Sequence, residues 1–286
     1  MSALLAPVLF VLVWSTGFIV ARAIEGVADP SLFLLARFTL TTLMYTVLGM
    51  ALRAAWPARA QWPKHFVAGG LLQGVYMGGG YWAVAHGLSP AVMALLATLQ
   101  PMLTALIAQR LFGEPLGRHF WGGLAAGALG VLMVLAPRLS AVGPEALSPL
   151  VVGVALLSVA GITAGTLVQK SSIAAADLFT SSALQNAGGA LVCLCAVLVL
   201  GESLWVPGAA LWGALAWAVL GLSAIGSTLL VWMVRHGSAA RVSVLVLLVP
   251  PLAAVQAALL FGERLSPLQI GGFALALGGV LLCRRR

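Results

Sequence analysis

Apolar residues along this chain run in long unbroken stretches, set apart by short segments rich in proline, glycine and charge, and the stretches predict membrane-spanning helices. Ten of them are expected, over 4–24, 31–52, 65–86, 91–111, 120–136, 149–170, 178–200, 209–234, 241–261 and 268–283. A bilayer core about 30 Å thick takes roughly 20 residues of helix, so 286 residues with short connections fit ten spans. The breaks include Asp29-Pro30, Ser89-Pro90, Glu114-Pro115, Pro207-Gly208 and Ser266-Pro267. Proline disfavours the helical backbone of the residue before it, which marks the segment ends. The first stretch lacks a basic leader and a cleavage signal and is expected to be a retained helix.

Composition agrees with a lipid solvent: 62% of residues are hydrophobic, 8% are charged, and the mean hydropathy is +1.08. The 33 glycines and 14 prolines suit membrane helices, where small side chains allow close approach and neighbours satisfy freed carbonyls. A net charge of +8 does not indicate nucleic acid here, because the basic residues fall in connecting segments and not on one soluble surface. Their distribution instead orients the chain. Eleven Lys and Arg residues, among them Arg53, Lys64, Lys170 and Arg235, lie on the side of the termini, and only Arg22, Arg138 and Arg264 on the other. The positive-inside rule then predicts a multi-pass protein of a bacterial inner membrane with both termini cytoplasmic. Cys193, Cys195 and Cys283 sit within or at the end of apolar runs without metal-ligand spacing, so neither a metal site nor a cofactor is expected.

The chain also repeats itself. A shift of 149 residues aligns Leu99 to Leu132 with Leu248 to Leu281 at sixteen identities in thirty-four positions, including Pro101 with Pro250 and Gly122-Gly123 with Gly271-Gly272. Two units follow, 1–143 and 144–286, each of five spans. An odd number of spans inverts the second unit relative to the first. The expected fold is an all-α integral membrane protein of ten helices, two inverted five-helix repeats around a central cavity. Such an architecture is the usual basis of alternating access to a solute.

Several motifs resemble the drug/metabolite transporter superfamily, in its ten-helix branch with two EamA-type repeats. They are Trp14-Ser15-Thr16-Gly17-Phe18, Pro30 with Ala36-Arg37-Phe38, Ala83 to Gly87, and the paired segments Gln100-Pro101 to Phe112-Gly113-Glu114 and Val249-Pro250 to Phe261-Gly262-Glu263. The resemblance implies a basket lined mainly by spans one, three, four, six, eight and nine. The chain looks most like bacterial exporters of aromatic amino acids, which implies a secondary transporter exporting small metabolites, aromatic and other neutral amino acids foremost. A broad drug or metabolite exporter is the alternative, and a membrane-embedded transferase or lipid flippase the reading from another class. Its partners would be the solute and the lipid bilayer. The oligomeric state stays open, with a monomer among the options.

Arg37 is the charged residue well inside a span, and a charge there costs about 2.5 to 3.5 kcal/mol on insertion scales. It either attracts a substrate carboxylate through two hydrogen bonds or serves as a structural arginine. Gln185 stands at its approximate repeat position. Further candidates to line the cavity are Trp14, Ser15, Gln73, Tyr76, Tyr81, Trp82, Thr98, Gln100, Thr163, Ser223, Ser227 and Trp232, with Tyr81 and Trp82 able to stack on a ring. Gly70, Gly74 and Gly78 mark a close-packed face of the third span. Pro101 and Pro250 each lack a backbone donor and are candidate hinges. The acidic residues all map to segment ends, which weakens proton exchange through a membrane-embedded carboxylate. Neither a Walker loop nor a His-Glu-x-x-His motif occurs, so the chain is not expected to be an enzyme or to hydrolyse ATP.

Overall fold

The computed structural model describes residues 5–88, 90–113, 116–139, 148–172, 176–261 and 266–284, and among these residues the fold is helical without a strand. Ten helical runs follow the ten apolar stretches. α1 comprises Leu5–Ser15 and Gly17–Ala23, α2 is Pro30–Ala51, α3 comprises Trp62–Gly69, Gly70–Gly78 and Gly79–Ala85, and α4 comprises Pro90–Ala97 and Leu99–Phe112. α5 is Arg118–Leu139, α6 Pro149–Ser172 and α7 Leu178–Leu200. α8 comprises Ala209–Trp217, Ala218–Ser227 and Thr228–His236, α9 comprises Ala239–Ser243, Val244–Leu248 and Val249–Phe261, and α10 is Pro267–Arg284. Pro30, Pro90, Pro149 and Pro267 each open a helix, a position where a missing N–H costs nothing. Among the described residues seven helices are long and apolar enough to cross a bilayer, and α1 and α10 are shorter apolar helices. α3 starts at Trp62, three residues ahead of the predicted boundary, which draws Lys64 and His65 into its first turn.

Helix against helix, the packing shows the inversion directly. A Cβ built on Gly123 of α5 would fall 2.5 Å from the Gly279 carbonyl oxygen of α10, and one on Gly130 would fall 2.6 Å from that of Gly272. Gly123 and Gly272 are repeat counterparts, as are Gly130 and Gly279. One contact is thus the other under exchange of the two halves, and the helices run antiparallel. α2 and α7, also counterparts, cross antiparallel too: Gly49 meets Thr180 near one end, and Ser31 meets Glu202 near the other. The face with the end of α2, the start of α3 and the ends of α6 and α8 carries Arg53, Lys64, Lys170 and Arg235, and is termed the basic face.

Departures from the α-helix obey the same symmetry. Gly70–Gly78 in α3 and Ala218–Ser227 in α8 are π-helical, and a 149-residue shift carries the first onto 219–227. Wider turns leave carbonyls without their usual donors. Hydroxyls from the other repeat take them up: Ser158 of α6 donates to the Tyr76 carbonyl at 2.7 Å, and Tyr45 of α2 reaches the carbonyls of Ser223 and Ala224 at 3.1 and 3.2 Å. In α4 the helix breaks at Thr98, and in α9 it tightens over Val244–Leu248, again at matching positions.

These breaks change the reading of the two prolines. Pro101 and Pro250 do not kink the middle of a continuous helix; they stand in the first turn of Leu99–Phe112 and Val249–Phe261, just after the discontinuity. Alanine at either site restores a donor facing the preceding turn and should heal the break. Pro101→Ala and Pro250→Ala are expected to slow flux in proteoliposomes by more than they reduce the yield of folded protein. Equal losses in flux and yield would reject a hinge.

Two ties hold α2 and α7 together on the face opposite the basic one. The Asp29 carboxylate accepts the backbone N–H groups of Ser203 and Leu204 at 2.8 Å, and the Glu202 carboxylate accepts Ser31 Oγ and Leu32 N at 2.9 Å. At the basic face Asp177 caps α7 through the N–H groups of Phe179 and Thr180, and Thr180 Oγ1 donates to the Ala55 carbonyl.

Candidate functional site

The site starts from a stripe on α2. Arg37, Thr41 and Tyr45 recur every four residues and so share one side of the helix. All three are buried, with Arg37 1% exposed. Arg37 Nε donates to Ser223 Oγ of α8 at 3.0 Å and Nη1 contacts Met77 Sδ of α3 at 3.5 Å, while Nη2 is buried without an acceptor. Among the described residues no carboxylate pairs with it, since Asp29, Asp177 and Glu202 are engaged at helix ends. The face of the Phe38 ring lies 5.3 Å from Arg37 Cζ, and Tyr81 and Cys193 are close by. A guanidinium in this setting retains a free N–H and an uncompensated charge.

Aromatic groups of α1 and α3 close around it. α1 breaks at Thr16, and Tyr81 donates its hydroxyl to the carbonyl of Gly17 at 3.3 Å. Thr16 Oγ1 bonds the Val13 carbonyl and accepts Trp217 Nε1 at 2.8 Å, which fixes the broken turn against α8. The Trp14 indole reaches the Tyr76 hydroxyl and lies against Gly226 of the wide segment in α8, where an added Cβ would come within 3.2 Å of the ring. Trp14, Arg37, Tyr76, Tyr81 and Ser223 therefore converge, from α1, α2, α3 and α8. One uncompensated cation beside three aromatic rings is a constellation that can take a carboxylate and an aromatic or apolar body together.

The remaining sequence candidates lie elsewhere. Trp82 follows Tyr81 by about 100° around the helix and faces the cluster of Met93, Val151, Ala155 and Val159, stacked on His86 at 3.9 Å. Trp232 packs into the cluster formed with α1 and α9 and stacks on His236 at 5.0 Å. Ser15, Thr98, Thr163 and Ser227 donate to carbonyls of their own helices, at Leu12, Leu95, Val159 and Leu222, as membrane Ser and Thr do. Gln100 bonds Thr104 within α4, and Gln73 lies beside Gly189 of α7 with its Oε1 unpartnered. Gly70 and Gly74 pack on Val192 of α7, whereas Gly78 faces open space. Sequence reasoning missed Tyr45, Met77 and Thr228, which bonds the Tyr45 hydroxyl. The signal for Tyr45 was its spacing of eight from Arg37.

A model of the EamA-like transporter family matches residues 1–136 and again 150–285, one match for each repeat. The chain belongs to the EamA-like transporter family. It is therefore a multi-pass membrane transporter of small molecules. One crystal structure shares this EamA fold with a TM-score of 0.81 at 21% identity, covering 98% of this chain and 96% of that one. No curated protein matches the sequence. The Arg37 cluster joins α1, α2 and α3 of the first EamA repeat to α8 of the second, so it sits where the two matched units meet.

Proposed function

We propose that this EamA-family protein is a secondary transporter that exports small metabolites, aromatic and other neutral amino acids foremost, by alternating access between its two inverted repeats. The observation that carries the reading is the buried Arg37, without a carboxylate partner and faced by Tyr81. A buried charge is retained at a cost, and a solute carboxylate supplies the missing charge. Trp14 and Tyr76 offer surface for a ring or an apolar side chain, and the small number of polar groups matches a mostly apolar pocket with a few orienting contacts. The symmetric wide turns of α3 and α8 and the matched breaks of α4 and α9 provide related flexible points in each repeat. In the cell, the basic face is the cytoplasmic one in this reading, with the protein in the inner membrane.

Counterflow in liposomes holding only this protein tests it. Labelled phenylalanine or tryptophan should accumulate in vesicles preloaded with the unlabelled amino acid, and phenethylamine, which lacks the carboxylate, should not compete. Competition by unrelated lipophilic cations as strong as by phenylalanine would favour a broad drug exporter. A chemically altered product would show an enzyme.

A further inference from the structure

Within the first two turns from the basic face, α3, α6, α7 and α8 hold a second set of polar side chains apart from the Arg37 cluster. His65 is fully buried with both ring nitrogens unpartnered, and Gln169 and Gln185 are each 1% exposed with both amide atoms unpartnered. Arg235 donates Nη1 to the Ala176 carbonyl and Nη2 to Ser181 Oγ, and its Nε is buried without an acceptor.

These groups stand on four helices that pack against one another at this end of the bundle. Arg235 acts electrostatically on His65. Ser181 and Gln185, four residues apart, share one side of α7. A Cβ on Gly69, one turn from His65, would fall 1.8 Å from the Gln185 carbonyl oxygen, so α3 and α7 touch there. On α6, Gly165 packs on Leu72 of α3, and Gln169 lies one turn further along the same side. Because α3 and α6 run antiparallel, with Gly161 on Val75 and Gly165 on Leu72, that turn falls beside Ala68, one turn from His65. Asp177 is the acid that acts on Arg235 among the described residues, and its carboxylate is engaged by the N–H groups of Phe179 and Thr180.

The inverted repeat gives this cluster a meaning. Arg37 lies seven residues in from Pro30, the start of α2, and Gln185 lies seven residues in from Leu178, the start of α7. α2 and α7 start at opposite faces, so the two polar positions are counterparts at mirrored depths. Buried polar groups in a folded protein nearly always have partners, and a set of this kind, drawn from four helices and left open, is built for an occupant. Its donors are Arg235 Nε and the amide N–H groups of Gln169 and Gln185, around one cation without a free carboxylate.

We infer that this cluster is a second binding station, which takes the carboxylate of a small solute nearer the basic face than Arg37 does. Arg235 and the two glutamine amides donate to the carboxylate oxygens, and the glutamine carbonyls and His65 accept from an ammonium where the solute carries one. The order in which cargo passes between the two stations rests on the carrier reading above; the existence of the station does not.

Equilibrium binding of radiolabelled benzoate to the full-length protein in nanodiscs tests the station without reference to transport. Arg37→Gln should retain one saturable benzoate site. Adding Gln169→Leu and Gln185→Leu should weaken that remaining site at least tenfold, with an unchanged or raised melting temperature because only unpartnered amides are removed. Loss of all benzoate binding in Arg37→Gln alone would overturn the inference, as would a remaining site indifferent to the two leucines. Failure of the amino-acid reading looks different: amino-acid counterflow would be absent while benzoate still bound the Arg37→Gln protein.

Discussion

Arg37→Gln is expected to reduce counterflow of carboxylate-bearing solutes by about 30-fold or more while the protein stays folded. Removing one partner of a buried, hydrogen-bonded charge pair costs about 2 to 5 kcal/mol, and each 1.4 kcal/mol is tenfold. The native protein gains little stability from this residue. Its contacts are one charge-assisted hydrogen bond to Ser223, worth about 1.5 to 3 kcal/mol, the face of the Phe38 ring at 5.3 Å, and a soft contact to Met77. Against these stands the cost of a buried charge, about 2.5 to 3.5 kcal/mol on insertion scales. The two sides nearly cancel, so the melting temperature of Arg37→Gln should stay close to that of the parent. Arg37→Lys should not restore transport, because an ammonium lacks the planar fork that binds a carboxylate through two bonds. If transport and melting temperature fell together in Arg37→Gln, the residue would be a strut between α2 and α8 and the cargo reading would lose its main support.

The largest effect on stability is expected at the crossing of α5 and α10. Gly130→Leu or Gly279→Leu forces a side chain into main chain already 2.4 to 2.6 Å from where a Cβ would sit. Overpacking of side chains costs about 1 to 3 kcal/mol, and a backbone cannot change rotamer to relieve it. Both variants should lower the folded yield and the melting temperature in detergent. Gly122→Leu and Gly278→Leu are the controls: each lies one position from a contact glycine and faces open space. If all four variants behaved alike, glycine content and not close approach would matter at this crossing.

Much of the fold was legible because lipid allows few solutions: uninterrupted apolar stretches must be helices, and proline marks where they begin. The repeat was legible because Pro101 to Leu132 keeps its side chains in the second half. Arg37 stood out as a charge within a span. The wide turns were hidden, since nothing in Gly70–Gly78 or Ala218–Ser227 distinguishes a π-helix from a glycine-bearing α-helix. Trp82 was grouped with Tyr81 by adjacency, yet neighbours on a helix point about 100° apart, and only one of them faces Arg37. His65, Gln169 and Arg235 each read alone as a residue of a span end. Their convergence depends on α3 and α6 running antiparallel beside α7, a tertiary fact that a linear pattern does not contain.

The reciprocal carboxylates, Asp29 before α2 accepting from the segment after α7 and Glu202 after α7 accepting from the first turn of α2, have a bearing on movement. With Thr180 anchored to Ala55 at the far end, the pair is clasped at both membrane surfaces. Hydrogen bonds from charged oxygens to backbone N–H groups are among the stronger ones a protein makes. In the alternating-access reading, a rearrangement that uncovers Arg37 is expected to keep α2 and α7 together as a stator, with α3 held to α7 where Gly69 and Gly188 meet main chain, and α1 and α8 as the parts that tilt.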